Sequence, residues 1–281
     1  MKFAKFWAKE EFSVEEDLFG CERASVWGAS NESEGDARQN AELRKKQLLS
    51  FADNGFTDKE EYEYFNGYIR EDIIEEISAA DGSVLGVITR NRYGALVLNT
   101  ERAVFGDIDI PPVKVKRGFL SWFGKKAEPK DTAYYLARIE AYQKSNPAVS
   151  FRVYKTHSGI RFILTNQSYS PSDTSLLDMF KALNVDPLYI QLCKRQQCFR
   201  ARLSPKPWRI GLLRPASYYP FETLDDERAS RDWVREYDAT SKAYSVVEHI
   251  GSFGDAHVLE EVQKLIDIHD KAALKKDVNL A

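Results

Sequence analysis

Apolar and acidic residues alternate through Val104-Phe105-Gly106-Asp107-Ile108-Asp109-Ile110, and Pro111-Pro112 stops the pattern. A period of two predicts a strand, with Val104, Phe105, Ile108 and Ile110 supplying the buried body of a central strand. Asp107 and Asp109 then share one face, roughly 6.5–7 Å apart along the chain. Two carboxylates projecting together repel each other. Solvent at a strand-to-loop junction relieves that repulsion; so does a divalent cation such as Mg²⁺ or Mn²⁺, which takes hard oxygen ligands.

On either side of this strand the pattern changes period. Ser33 to Leu49 carries acids early and bases late, as a helix dipole favours, and Trp27-Gly28-Ala29-Ser30-Asn31 reads as the turn or cap entering it. Asp58 to Ser78 reads as a second helical stretch broken at Asn66-Gly67. Val84–Thr89 and Ala95–Thr100 flank a turn-forming Arg90-Asn91-Arg92-Tyr93-Gly94, so a hairpin is expected, with the Asp107/Asp109 strand adding a third antiparallel strand. Asp131 to Ser145 predicts a helix capped by Asp131 or Thr132. Ser150–Tyr154 and Ile160–Thr165 predict strands joined by Lys155-Thr156-His157-Ser158-Gly159, and Ser172–Leu183 another helix. Cys193 to Leu203 is mixed in character, and the prolines of Ser204-Pro205-Lys206-Pro207-Trp208-Arg209 impose an extended loop. Leu224–Val247 is a highly charged helical tract, and Val258–Leu274 has apolar positions at 258, 259, 262, 265, 266 and 269/273 in helical spacing.

These elements predict an α/β (α+β) fold with a mainly antiparallel central sheet. Residues 1–80 form a helical N-terminal segment, 81–220 the α/β core, and 221–281 C-terminal helices. A chain of 281 residues with 43% hydrophobic content can bury a substantial core. No apolar run approaches the roughly 20 residues of a membrane span, and the N-terminus lacks the pattern of a secretory signal. The three cysteines Cys21, Cys193 and Cys198 show no zinc-type spacing, so a reducing, cytoplasmic location with no membrane partner is expected.

Charge alters this picture locally. The net charge is −3, yet Ala141 to Pro220 holds twelve Lys/Arg against Asp173, Asp178 and Asp186. A basic face of this kind favours an anionic ligand. Val113 to Lys130 mixes six Lys/Arg with Phe119, Trp122 and Phe123. That pattern suits contact with a nucleic acid or nucleotide, or a loop pinned by its own aromatics. No Ser-x-Gly nucleophile elbow, Walker loop or dinucleotide glycine fingerprint is present.

Three stretches carry the candidate chemistry: Asp107/Asp109, the turn Lys155-Thr156-His157-Ser158-Gly159-Ile160-Arg161, and Cys198-Phe199-Arg200-Ala201-Arg202-Leu203-Ser204-Pro205-Lys206. Paired carboxylates facing an Arg/Lys cluster suit phosphoryl or nucleotidyl transfer, in which metal ions bridge phosphate oxygens and cations neutralise the triphosphate. The order DxD, helix, strand–Ser-Gly turn–strand, then a late Phe-Arg segment ending in Ser-Pro-Lys resembles the archaeo-eukaryotic primase superfamily of primase-polymerases, over roughly residues 95–214. The resemblance implies a primase-polymerase-type core and a Mg²⁺- or Mn²⁺-dependent nucleotidyltransferase of DNA replication or repair, with nucleotide and DNA or RNA as partners. It implies Asp107, Asp109 and Asp186 as catalytic metal ligands, and His157, Ser158, Arg161, Arg200, Arg202 and Lys206 as nucleotide- or phosphate-binding residues. The chain departs from the pattern after Ser158-Gly159, where the family places a histidine and this sequence has Arg161-Phe162. Arg161 is expected to contact phosphate instead. Two further readings stay open: a non-catalytic nucleotide- or nucleic-acid-binding module on the same scaffold, and a protein-interaction module whose basic face meets an acidic protein.

Overall fold

The computed structural model describes residues 1–14, 22–53, 67–111 and 130–281. The basic–aromatic stretch Val113–Lys130, apart from Lys130, and the first part of the expected Asp58–Ser78 helix lie outside them. The chain divides into two compact units, Met1–Arg70 and Glu71–Ala281.

The first unit is less helical than the N-terminal segment expected. It begins with strands β1 (Phe6–Ser13) and β2 (Arg23–Ser30), paired antiparallel from Phe6↔Ser30 to Ser13↔Arg23. Helix α1 (Glu34–Asp53) follows, and the Ser33 hydroxyl accepts from the Asp36 backbone N–H at 3.0 Å to cap it. Gly28, expected in the turn entering the helix, lies inside β2. A Cβ there would come within 1.9 Å of the Ala37 carbonyl oxygen, so this glycine lets the helix backbone lie directly on the strand.

In chain order the second unit contains β3 (Asp72–Ser78), β4 (Val84–Arg90), β5 (Leu96–Thr100), β6 (Phe105–Asp109), α2 (Thr132–Ser145), β7 (Phe151–Thr156), β8 (Gly159–Leu164), α3 (Thr174–Leu183), α4 (Pro187–Gln196), β9 (Phe199–Arg202), α5 (Leu224–Ser241), β10 (Tyr244–Ser245), β11 (Val247–Phe253), α6 (Glu260–Ala273) and β12 (Asn279–Leu280). Two four-stranded sheets result, ordered β3-β4-β5-β9 and β11-β7-β8-β6. All their strand pairings are antiparallel, as the α+β reading expected. β6 and β7 both run antiparallel to the intervening β8 and are therefore parallel to one another, joined by a crossover that includes α2. This is a split βαβ unit.

Local signals explain most of these elements. Asp131 caps α2 by accepting from the Tyr134 N–H at 3.0 Å. Asn184 ends α3 in the left-handed conformation, which asparagine tolerates. β8 is buried along its whole length, and Phe162, Ile163 and Leu164 join Phe105, Phe151, Phe180 and Phe199 in one core.

The structure differs from expectation at four places. Asp72–Ser78 forms the strand β3, because pairing with β4 suits its β-branched isoleucines better than a helix does. β6 leaves the β4–β5 hairpin and pairs with β8; β9 takes the place beside β5. β6 is thus the last strand of its hydrogen-bonded ladder, not a central one. The charged tail helix stops at Ser241, and β11 returns to extend the sheet along β7.

Gly106 illustrates how tightly β6 meets β8. It sits opposite Phe162, and a Cβ on it would come within 2.2 Å of that ring. Gly106→Ala therefore overpacks the core and lowers stability by about 1–3 kcal/mol. In urea denaturation the midpoint should fall at constant slope; an unchanged midpoint would mean the ring has room to move.

Candidate functional site

The site is built on the β6–β8 ladder, where Asp107 faces Arg161 in register. Arg161 is 2% exposed. Its Nε donates to Asp107 Oδ1 at 2.8 Å and its Nη2 to Oδ2 at 3.1 Å. Nη1 donates to the Arg202 carbonyl at 2.9 Å and lies 3.4 Å from His269 Nε2. Arginine has no acceptor, so His269 Nε2 is the accepting nitrogen and Nδ1 carries the proton toward Asp270 Oδ1, 2.9 Å away. His269 is fully buried, and burial, with Arg161 beside it, holds its pKa below the ordinary value. Burial opposes the charge on Arg161, but the Asp107 carboxylate outweighs it and keeps the guanidinium firmly protonated. The expectation that Arg161 grips phosphate meets a side chain already committed to Asp107.

Asp186 is close by. Its backbone N–H donates to the Asp107 carbonyl at 2.9 Å, which ties the start of α4 to β6. Its carboxylate caps that helix, accepting from the Leu188 N–H at 3.1 Å and the Tyr189 N–H at 3.3 Å. Asp109 is exposed as a residue, yet its carboxyl is pushed above its ordinary range. The protein crowded around it is the first cause; Asp186 and Asp107 add to it, and Lys206 and Arg209 offset it. The three expected acids are therefore neighbours. In two of them, Asp107 and Asp186, each carboxylate oxygen accepts from an N–H donor. Among the described residues no group of three or more His, Cys, Asp or Glu side chains is arranged to hold a metal ion.

The cations come from the end of β9 and the segment that follows it. Ser204 pins its start, accepting from the Leu96 N–H at 2.7 Å and sharing a hydrogen with the Tyr237 hydroxyl at 2.7 Å. A single 3₁₀ turn at Pro207–Arg209 follows. Arg209 Nη2 donates to Ser158 Oγ at 2.9 Å, which leaves the Ser158 hydrogen for His157 Nδ1, also at 2.9 Å. The β7–β8 turn and the post-β9 loop thus meet at Ser158. Burial, then Arg209, Arg202 and Lys206, push the His157 pKa down, so this imidazole is neutral at pH 7. Lys206 is lowered in the same way, by burial first and then by Arg202 and Arg209.

Arg202 is the most exceptional of these groups. Its Nε is sealed from solvent without a hydrogen-bond partner, and burial, Arg161 and Arg209 push its pKa down to about 10. The other deeply set arginines of this unit are paired: Arg90 with Asp238 at 3.0 Å, Arg152 with Asp270 at 2.7 Å, and Arg200 with Glu71 at 2.5 Å. Arg202, Lys206 and Arg209 have no carboxylate within ion-pair distance among the described residues. All three act on His157, and their nearby carboxylates, Asp107 and Asp109, influence them only from beyond ion-pair distance, so the cluster has room for a closer anion.

Of the expected phosphate-binding residues, His157, Ser158, Arg202 and Lys206 therefore converge. Arg200 does not join them, since its Nη2 pairs with Glu71 and its Nη1 donates to Gln196 Oε1 at 2.8 Å. Arg209 was passed over in the sequence. The signal was its position three residues after Lys206 in a proline-braced turn, which brings both to one side. Cys193 and Cys198 are buried thiols, with pKa values pushed upward by burial. No helix among the described residues is long and apolar enough to cross a membrane. Compared with protein-family models, curated proteins and solved structures, the chain matches none of them.

Proposed function

We propose that the chain is a nucleotide- and nucleic-acid-binding protein on a primase-polymerase-like scaffold, one that grips phosphate through Arg202, Lys206, Arg209 and Ser158 without metal-dependent nucleotidyl transfer. The observation that carries this reading is the buried, unpartnered Arg202 Nε among cations that lack ion-pair partners. A phosphate group offers several acceptor oxygens to such a cluster, and charge-assisted bonds of this kind are the strong ones. The hydrogen-bond donors around the acids support the non-catalytic part of this reading. Arg161 stands where the resembled family has its histidine and holds both oxygens of Asp107, while Asp186 is engaged as a helix cap. Engaged in this way, these acids do not fit a three-carboxylate Mg²⁺ or Mn²⁺ centre.

Calorimetric titration with a nucleoside triphosphate tests the reading. Binding should persist in EDTA and weaken as salt rises. Lys206→Ala and Arg209→Ala should each weaken it about 10- to 100-fold, on the order of a single charge-assisted contact. Unchanged affinity in both variants would remove the phosphate site. Primer extension that requires Mg²⁺ or Mn²⁺ and is abolished by Asp109→Ala would replace this reading with nucleotidyl transfer, the function favoured by the proximity of Asp109 to Asp107 and Asp186.

A further inference from the structure

Beside the phosphate cluster lies a second group of side chains that the phosphate grip does not use. Trp208 is 44% exposed, in the turn between Lys206 and Arg209. The Tyr93 ring meets it edge-on with centroids 5.5 Å apart. The Arg214 guanidinium lies over both rings, 4.8 Å from the Trp208 centroid and 5.1 Å from that of Tyr93. Lys206 Nζ approaches Trp208 at 5.4 Å. The indole is thus the link between a cation belonging to the phosphate cluster and one outside it. Arg214, like Lys206, has no ion-pair partner among the described residues.

Tryptophan is highly buried on average, yet Trp208 stays 44% exposed on a braced turn. Pro207 is buried, its carbonyl accepts from the Ile210 and Leu212 N–H groups, each at 3.0 Å, and the Tyr237 hydroxyl donates to the Pro205 carbonyl. A pre-ordered aromatic loses little conformational entropy when something stacks on it, which is how rigid aromatic anchors gain affinity.

We propose that Trp208, with Tyr93 and Arg214, forms a stacking platform for an unpaired base of single-stranded nucleic acid, whose backbone passes from the Lys206 side to Arg214. This deepens, and rests on, the reading of the neighbouring cluster as a phosphate site. Two cations within 5.4 Å of one ring centroid, Lys206 and Arg214, can each take a phosphate adjoining a base stacked at Trp208. A lone nucleotide would leave Arg214 without an anion. A duplex presents no accessible base face, since its bases already stack on one another. An acidic peptide could meet the charges but has no use for the exposed ring.

Fluorescence anisotropy with a labelled 20-residue oligothymidylate tests the proposal on the full chain. Trp208→Ala should weaken binding about 5- to 30-fold, within the range for one stacked base, with little change in thermal midpoint because the ring is exposed. Trp208→Phe should restore most of the affinity. Arg214→Ala should lower the slope of log affinity against log salt by about 0.7, the contribution of one phosphate on a single strand. Wild-type affinity in Trp208→Ala would overturn the platform. So would a duplex of the same length binding as tightly, or inorganic polyphosphate or polyglutamate competing as well as the oligonucleotide charge for charge. Inorganic tripolyphosphate, which carries no base, separates the two readings. Tripolyphosphate binding to wild type alongside an indifferent Trp208→Ala removes the platform alone, whereas failure of wild type to bind either ligand removes the phosphate site as well.

Discussion

Replacing Arg161 with leucine lowers the unfolding free energy by about 3–5 kcal/mol, the loss expected when one partner of a buried ion pair is removed and the other is stranded. The guanidinium is nearly inaccessible and uses Nε, Nη1 and Nη2 in hydrogen bonds to Asp107 and the Arg202 carbonyl. Leucine would leave the half-buried Asp107 carboxylate without its two-point donor, and the Arg202 carbonyl and His269 Nε2 without theirs. For a protein of this size the midpoint of thermal unfolding should fall by roughly 6–20 °C. The double variant Asp107→Asn/Arg161→Leu should recover part of the loss, because no full charge is then stranded. By contrast, breaking the Arg228–Asp225 pair on α5, whose side chains are 76% and 91% exposed, should change stability by less than about 0.5 kcal/mol. Equal effects at the two sites would show that Asp107 is hydrated and that the pair does not lock β6 to β8.

The difference between these two pairs marks what could be read from the chain and what could not. Local signals were legible. The Asp131 cap, the α2 stretch, the β7–β8 hairpin and the apolar stripe of α6 each follow from residues within one or two turns of each other. The acidic strand was legible too, because alternation over five residues suffices to define it. Long-range pairing was not. Nothing between Leu96 and Asp109 announces that β6 will leave the hairpin for β8, since both destinations bury the same apolar face. Arg200 and Arg202 lie two residues apart on one strand and look equivalent in sequence. What separates them is Glu71, far upstream, which claims Arg200 and leaves Arg202 without a carboxylate. Asp186-Pro187 had a clear local meaning, an N-cap followed by proline in the first turn. The resemblance drew attention to its charge instead. His269 sat on the apolar stripe of α6, and that placement was the sign of a buried imidazole; its role in orienting Arg161 depends on a contact 108 residues away.

Arg202→Met should make the protein more stable while making it a poorer ligand binder. Methionine keeps much of the length and apolar body of the side chain but removes a guanidinium whose Nε has no partner and whose neighbours include Arg161 and Arg209. Leaving a buried donor unsatisfied costs about 1–3 kcal/mol, so the ligand-free variant should gain stability of that order at pH 7. The sign follows from linkage. A cation whose folded-state pKa lies below its unfolded value destabilises the fold at every pH where both states are protonated. For Arg202, lowered to about 10, that deficit is fully present at neutral pH and fades as pH rises through about 10 toward the ordinary arginine range. The variant's advantage over wild type should therefore shrink in alkaline urea titrations. Ligand reverses the order. A triphosphate that satisfies Arg202 stabilises the wild-type fold by mass action, and the variant, lacking that contact, should bind about 10- to 100-fold more weakly. A destabilised Arg202→Met protein with unchanged triphosphate affinity would make Arg202 a structural side chain and leave the cluster without its central donor. A gain in stability paired with a loss of affinity is the signature of a residue kept in an unfavourable place for what it binds.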